Sequence, residues 1–339
     1  MSAEFSTILL RWFAQNGREL PWRATQDPYA IWLSEIILQQ TRVQQGWAYW
    51  ERFMRRFPNV EQLAAASEDE VLRLWQGLGY YSRARNLHTA AQQIVSMGRF
   101  PTTFEEILGL KGVGEYTAAA VGSIAFGLPV AVVDGNVYRV LARVLGIETP
   151  INTTAGKHEF NAVAQELLPM HQSAAYNQAV MDFGAMVCTP KSPKCTQCPL
   201  AERCVAFREQ RVGQLPVKLK KIEVKRRRMD YLHIRCKGKI AVRKRLKNDI
   251  WRGLWELVLM DDDLKTSIIP HWKGLEKNFV LWKKDVKHVL THRVILTDFF
   301  LLEVNEPPAL PPDYIWIEEI DFERCAKPRL IESLLENLP

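Results

Sequence analysis

Val187 to Cys204 reads VCTPKSPKCTQCPLAERC and holds four of the chain's six cysteines, spaced Cys188-x6-Cys195-x2-Cys198-x5-Cys204. Pro190, Pro193 and Pro199 interrupt it, so it is neither a packed helix nor an inner strand, and its thiols must converge on something. The chain starts MSAEFSTILLRWF. Glu4 stands where an export signal carries positive charge, and Arg11 interrupts the only apolar run. A cytoplasmic protein with no membrane association is expected, nucleoid-associated if bacterial. In a reducing compartment, clustered cysteines favour metal ligation over disulfides. A structural zinc site usually shows two close ligand pairs, whereas only Cys195 and Cys198 form one here. A single pair with flanking thiolates suits a cubane iron-sulfur cluster, one cysteine per iron. Spacing alone does not choose between the metals. Cys236 and Cys325 lie far off and read as ordinary buried thiols.

The chain has 339 residues, 47% of them hydrophobic and 24% charged, enough for two domains with their own cores and unlike a disordered protein. Its formal charge of +7 is concentrated in one place. The run KLKKIEVKRRR, Lys218–Arg228, sets seven basic residues against Glu223 and leaves about +1 to the rest. That run reads as a solvated interdomain linker, as a strap along a phosphate backbone, or as both.

Two kinds of text flank it. Before it, apolar residues recur at helical spacing in ten segments, among them YAIWLSEIILQQ, YTAAAVGSIAFG, NVYRVLARVLG and AAYNQAVMDFGAMV, with no strand pattern. After it, DYLHIRCKGKIAVRKR reads as two strands around a KGK turn. WELVLM, HVLTHRVILTDFFLLEV and YIWIEEI read as further strands, and PRLIESLLENL as a terminal helix. The expected organisation is a helical region over residues 1–211, a linker over 212–228 and a small α+β domain over 229–339.

Within the helical text, TFEEILGL stops, the chain turns through Gly112 and Gly114, and a helix begins near Glu115. Two glycines two apart allow positive φ and turn backbone N–H groups outward at a helix start, an arrangement that binds anions such as a DNA phosphate. No Gly-Lys-Ser/Thr triplet follows, so this is not a nucleotide P-loop. A helix-turn-helix packed in the core is the plain alternative.

Two carboxylates stand out. Asp27 and Pro28 begin a helix on which Glu35 points between Ile31, Trp32, Leu38 and Gln39, an apolar setting that raises a carboxyl pKa as a general acid requires. A buried glutamate paired with Arg42 is the alternative. Asp134 follows the apolar run PVAVV and precedes an amphipathic helix, the ordinary position of an N-cap.

The hairpin followed by the four-cysteine loop resembles the iron-sulfur branch of the helix-hairpin-helix DNA glycosylase superfamily. That branch contains endonuclease III and the adenine DNA glycosylases of the MutY type. The resemblance implies an all-α helix-hairpin-helix catalytic region of two subdomains with DNA across their cleft. It also implies a [4Fe-4S] cluster on Cys188, Cys195, Cys198 and Cys204, structural or DNA-sensing, with Lys191 and Lys194 near phosphates. Where the lyases of the branch carry a lysine nucleophile, this chain has Tyr116, which cannot form a Schiff base, so hydrolysis by water is implied. Glu35 matches the glutamate that protonates the purine. Asp134, in VDGNV, matches the aspartate that stabilises the oxocarbenium-like sugar and orients water, with Asn136 as its hydrogen-bond partner.

Trp22 and Arg23 match the adenine-pocket wall, and Gln40, Thr41 and Tyr81 match residues that wedge into the base stack. Asp182 stands where many relatives carry a base-contacting glutamate, so a shorter or water-mediated contact is implied. The C-terminal α+β domain resembles the Nudix-like domain that reads 8-oxoguanine opposite adenine. It lacks the glutamate-rich Nudix box, and so is expected to bind without hydrolysing. Its recognition loop aligns as Leu290-Thr291-His292, with leucine in place of an aromatic residue. The implied protein is a monomer acting on double-stranded DNA that contains an adenine mispair. A thymine or oxidised-pyrimidine glycosylase, and a non-enzymatic iron-sulfur redox regulator, are the alternatives that excision from a panel of mispairs separates.

Overall fold

The computed structural model describes residues 2–219, 224–246, 249–260, 275–336 and 338. Two compact units are formed, Met1–Ala65 with Thr89–Lys220, and Ala66–His88 with Lys221–Pro339. The units meet at 220–221, inside the expected linker over 212–228, and depart from the expected organisation in one segment. Segment 66–88 reads as helical text but clusters with the C-terminal part. There the Tyr81 hydroxyl donates to the Lys327 carbonyl at 3.3 Å and Lys244 reaches Asp69 at 2.5 Å. Amphipathic periodicity identifies a buried face, not the partner that buries it. The expected linker is also partly ordered, since 225–228 is a strand; residues 220–223 lie outside the described residues.

In the first unit, the described residues are helical or irregular, as expected. The elements are α1 (Ser2–Asn16), α2 (Pro28–Leu38), α3 (Val43–Arg56), α4 (Val60–Ala65), α6 (Ser82–Met97, which starts in the second unit) and α7 (Phe104–Leu108). They continue as α8 (Glu115–Phe126), α9 (Gly135–Leu145), α10 (Thr154–Leu167), α11 (Ser173–Met186) and α12 (Val205–Arg208). The sequence reading missed α4 and α12, which are too short to show a helical period. α2 starts as its text predicts, with Asp27 accepting from the Tyr29 N–H and Pro28 in the first turn. Ile31, Trp32, Leu33 and Ile37 bury it nearly all round, and it packs against α8. A larger core joins Phe5 and Leu9 of α1, Val140 and Leu141 of α9, Phe160 of α10 and Phe183 of α11, and extends to Cys204. α9 ends at Gly146, whose φ is +73°. A Cβ there would lie 2.7 Å from Val205 Cγ1, so only glycine lets the cysteine loop close onto this core.

The second unit contains α5 (Glu68–Trp75) and a seven-stranded sheet. Its strands are β1 (Lys225–Arg228), β2 (Asp230–Cys236), β3 (Lys239–Lys244), β4 (Trp255–Met260), β5 (Val280–Leu290), β6 (Arg293–Glu303) and β7 (Ile315–Glu318). The order is β1-β6-β2-β4-β3-β7, with β5 antiparallel to β6. The KGK turn falls between β2 and β3, with Lys237 at φ +49° and Gly238 at +81°, the primed turn geometry suited to a tight hairpin. Alternation sends Tyr231 to one core with Phe299, Leu330 and Leu334, while Leu232 and Ile234 join Val258 and Leu302 in another. Two helices, α13 (Glu319–Arg324) and α14 (Arg329–Leu335), complete the unit, and α14 supplies Leu330, Ile331 and Leu334 to the first of these cores.

Candidate functional site

A cavity of about 640 Å³ in the first unit is lined by Glu35, Tyr116, Asp134, Asn136, Trp22 and Arg23, with Thr41 also on its wall. Seven of the expected residues thus meet in one place. Glu35 comes from the third turn of α2, and Tyr116 from the first turn of α8. The Tyr116 hydroxyl donates to Glu35 Oε2 at 2.9 Å, so the glutamate's partner is this phenol rather than Arg42. Burial pushes the Glu35 carboxyl up to about 7. The Tyr116 hydrogen bond opposes that rise, Asp134 adds to it, and Arg23 opposes it.

Asp134 is indeed the N-cap of α9, and it faces the same cavity. Its carboxylate accepts from the backbone N–H groups of Asn136 and Val137 and from Asn136 Nδ2, each at 2.8 Å. Burial raises its pKa, against those donors and the Arg139 guanidinium. Three donors at a helix N-terminus favour charge on Asp134, whereas Glu35 accepts from one phenol in an apolar wall. Two carboxyls in one cavity are therefore given different protonation tendencies by their surroundings.

The wall departs from expectation at Asp182. It is fully buried on α11, and both of its oxygens are taken by Arg18 and Arg23, with Arg23 Nη1 at 2.8 Å and Nη2 at 2.9 Å. Burial alone would raise its pKa, but the two guanidiniums hold it below the ordinary carboxylate range. It positions the two arginines, which occupy both its oxygens. Trp22 is buried against Trp47 and Trp50 edge-on. Gln40 is exposed at φ +57°, a costly conformation for a side-chain-bearing residue, and Thr41 follows it on the cavity wall.

Arg18, Asn177 and Gln165 were not anticipated. The irregular segment that leads into Asp134 is held by side-chain amides in place of a β-partner. Asn177 Oδ1 accepts from the Val132 N–H at 3.1 Å, and its Nδ2 donates to the Val130 carbonyl at 2.9 Å. Gln165 accepts from the Ala131 N–H at 3.0 Å and donates to the Pro129 carbonyl at 2.8 Å. Nothing local in the sequence marks these amides, because their partners lie more than thirty residues away.

Arg139 and Arg143, one helical turn apart on α9, face the cysteine loop. Arg139 donates to Asn136 Oδ1 at 2.8 Å, to the Gly184 carbonyl and to the Cys188 carbonyl, both at 2.6 Å. A Cβ on Gly184 would sit 2.6 Å from Asn136 Cβ, so α11 approaches the turn that carries Asp134 and Asn136 only as glycine. Arg143 points Nη1 at Cys188 Sγ, 3.4 Å away, and bonds the Thr189 and Leu215 carbonyls.

All four cysteines line one cavity with Val144, Phe183 and Phe207. Burial pushes the Cys198 thiol up to about 11, with Cys188, Cys204 and Cys195 adding to the rise. Four thiolates coexist in such a place only when cations neutralise them, so the donor set fits a bound metal cluster. The purified protein is expected to be brown and to hold about four irons per chain, with Cys198→Ser lowering iron content and DNA affinity more than the rate on bound DNA. Colourless protein carrying stoichiometric zinc would overturn this.

The hairpin departs in detail. Gly112 has φ +78°, but Gly114 is extended at φ −105° and caps α8 without a side-chain bond. Nothing lies within 4 Å of a Cβ there, so the space before α8 is unobstructed. The first N–H groups of α8 are thereby exposed to an anion.

In the second unit, Leu290 closes β5 and Thr291-His292 form a two-residue turn into β6. A cavity of about 510 Å³ is lined there by Tyr80, Trp251, His288, Leu290, Thr291 and His292. Leu290 packs against the core beneath it, so it is a floor and not a stacking plate. Tyr81 corrects the wedge assignment. It is only 7% exposed, with its hydroxyl committed to Lys327, whereas Tyr80 is 42% exposed and touches the Thr291 hydroxyl. GLGYY contains both tyrosines, and only the fold shows which one is outside.

Residues 33–169 match the HhH-GPD superfamily of base excision DNA repair proteins, 188–204 the iron-sulfur binding domain of endonuclease III, and 230–337 the NUDIX domain. The second match runs from the first ligand cysteine to the last, and the loop holds a [4Fe-4S] cluster. A thermostable thymine-DNA glycosylase superposes with a TM-score of 0.57 at 30% identity, over 61% of this chain and 97% of that one. An endonuclease III bound to DNA has the same helical fold, with a TM-score of 0.54 at 21% identity over 62% and 98% of the two chains. The adenine DNA glycosylase of Mus musculus is 44% identical over 62% of this chain and 43% of its own length. That of Buchnera aphidicola from Schizaphis graminum is 35% identical over 77% and 76% of the two chains. That of Buchnera aphidicola from Acyrthosiphon pisum is 31% identical over 98% of this chain and 97% of its own, and with both catalytic-region and C-terminal matches in order, the chain belongs to the adenine DNA glycosylase family.

Proposed function

We propose that this glycosylase hydrolyses the N-glycosidic bond of adenine set opposite 8-oxoguanine in duplex DNA, with Glu35 as general acid and Asp134 as electrostatic partner of the sugar. The observation that carries this is one cavity holding a carboxyl raised to about 7 beside a carboxylate held by three donors. Glu35 gives its proton to a purine ring nitrogen, the C1′–N bond breaks, and positive charge grows on the sugar opposite Asp134. Water adds to C1′ and yields a proton to a carboxylate. Tyr116 is neutral, since burial lifts its pKa far above the ordinary phenol value, and it serves as a donor to Glu35 and not as a nucleophile. Cys188, Cys195, Cys198 and Cys204 would hold the cluster, which would tie their loop to the core beside α9.

The cavity lined by Tyr80 and Thr291 supports reading of the opposite base. Guanine and 8-oxoguanine differ in one oxygen and one N–H, a difference that a few placed hydroxyls detect at about 1–3 kcal/mol per contact. Removing the C-terminal domain would also expose its partners in segment 66–88, so point variants give the cleaner test. Adenine release is expected from duplexes pairing it with 8-oxoguanine or guanine, and not thymine release from a thymine–guanine pair. Thr291→Ala with His292→Ala should narrow the preference for the oxidised partner by about tenfold or more. An equal loss on both duplexes would remove the reading role from this turn, and thymine release would favour the thymine glycosylase reading.

A further inference from the structure

Part of the basic run is an element of the sheet. β1 lies parallel to β6 with Lys225 opposite Arg293 and Arg226 opposite Val294, and the Lys225 N–H donates to the His292 carbonyl at 3.1 Å. The strand therefore begins at the Thr291-His292 turn. Paired residues in a sheet project to the same face. Lys225 and Arg227 accordingly share the face of Arg293, Ile295 and Phe299, while Arg226 and Arg228 share the face of Val294 and Leu296.

The four cations are not equivalent. Arg227 pairs with Asp249, which also draws Arg245 at 3.1 Å and Arg293 at 3.3 Å, so one carboxylate serves three guanidiniums. Arg228 reaches Asp230 at 3.1 Å, Asp285 at 3.5 Å and Asp298. Lys225 and Arg226 are exposed, and neither has a carboxylate partner among the described residues. Two cations without a carboxylate partner among the described residues thus sit on opposite faces of one strand, whose first residue bonds His292 of the cavity that holds Tyr80 and Thr291.

We propose that Lys225 and Arg226 form a phosphate grip, holding the backbone of the DNA strand whose base is read at Thr291; this rests on the reading role given to that cavity. A lysine and an arginine straddling a strand end can each reach a phosphodiester oxygen, and such contacts set register without reading sequence. The carboxylates that pair with Arg227 and Arg228 leave the two cations without such a partner among the described residues at the turn-proximal end. The arrangement orients the backbone and leaves discrimination to the turn.

The test is a salt titration of affinity for two duplexes, adenine opposite 8-oxoguanine and adenine opposite guanine, using the full cluster-loaded chain. Lys225→Gln with Arg226→Gln should reduce the slope of log affinity against log salt by nearly two, about 0.9 per lost phosphate contact. Affinity at about 0.1 M salt should fall on the order of tenfold or more, by the same factor on both duplexes. Lys225→Arg with Arg226→Lys should restore the slope, which separates lost charge from a damaged fold. An unchanged slope, or a loss confined to the oxidised duplex, would overturn the grip. If the slope falls while Thr291→Ala leaves the preference between duplexes intact, the grip stands and the reading role of the cavity fails instead.

Discussion

Asp134→Asn is expected to slow single-turnover release of adenine by about a hundredfold to a thousandfold, while affinity for the mispair persists. The two roles of this residue separate cleanly in that variant. Asparagine is as good an N-cap as aspartate, and its carbonyl oxygen can still accept from the Asn136 and Val137 N–H groups, so α9 should remain capped. What disappears is the negative charge facing the cavity. The new amide also meets Asn136 Nδ2, which now donates to Asp134 Oδ2 at 2.8 Å, while Asn136 Oδ1 is held by Arg139. Asn136 cannot flip without breaking that second bond, so the local geometry resists repair. Release at near wild-type rate would reduce Asp134 to a helix cap and remove the proposed mechanism.

The second large effect belongs to Glu35. Glu35→Gln should lower the rate by about a hundredfold to ten-thousandfold, the usual range for a lost general acid. The pH dependence is the more specific test. The protonated form is the active one and its pKa is about 7, so the wild-type rate should fall about tenfold per unit above that pH, and at acid pH it should fall again where Asp134 takes up a proton. In Glu35→Gln the alkaline limb should vanish. Tyr116→Phe supplies the sign check. The phenol donates to the carboxylate and lowers its pKa, so removing the hydroxyl should move the limb to higher pH. A limb that moves to lower pH, or that persists in Glu35→Gln, would assign the titration to another group.

Local context marked Asp134 as an N-cap and Glu35 as a carboxyl in an apolar setting, and the resemblance to the glycosylases supplied the roles proposed for them. One follows an apolar run and opens a helix, and the other lies on a helix that is apolar on almost every side. Local context marked the four cysteines as well, which are close in the chain and broken by prolines. Strand β4 fell on the apolar run WELVLM, and helix α14 fell where the 3.6-residue period put it.

The misreadings share a cause as well. Asp182 has the composition of a base contact, but Arg18 and Arg23 arrive from about 160 residues away and take both its oxygens. Tyr80 and Tyr81 are chemically identical neighbours, separated only by which one Lys327 covers. Gly114 was expected to turn the chain and is instead extended, with unobstructed space beside it. Segment 66–88 has ordinary helical text and joins the sheet-containing unit. The basic run looked like a linker, yet Arg227 finds a carboxylate in the β3–β4 connection and Arg228 finds carboxylates on other strands, and both become part of a sheet.

By itself the sequence determined the helical and strand-bearing regions, the cysteine loop and the hairpin, and it singled out the two carboxylates as candidates, since each depends on residues within a few turns or one strand of one another. Only the tertiary structure decided that Glu35, Tyr116 and Asp134 share a cavity, that amides from α10 and α11 hold the segment before Asp134, and which tyrosine and which cations remain exposed. Those outcomes depend on desolvation and on partners brought together from distant parts of the chain. Neither propensity nor spacing encodes which distant group will arrive.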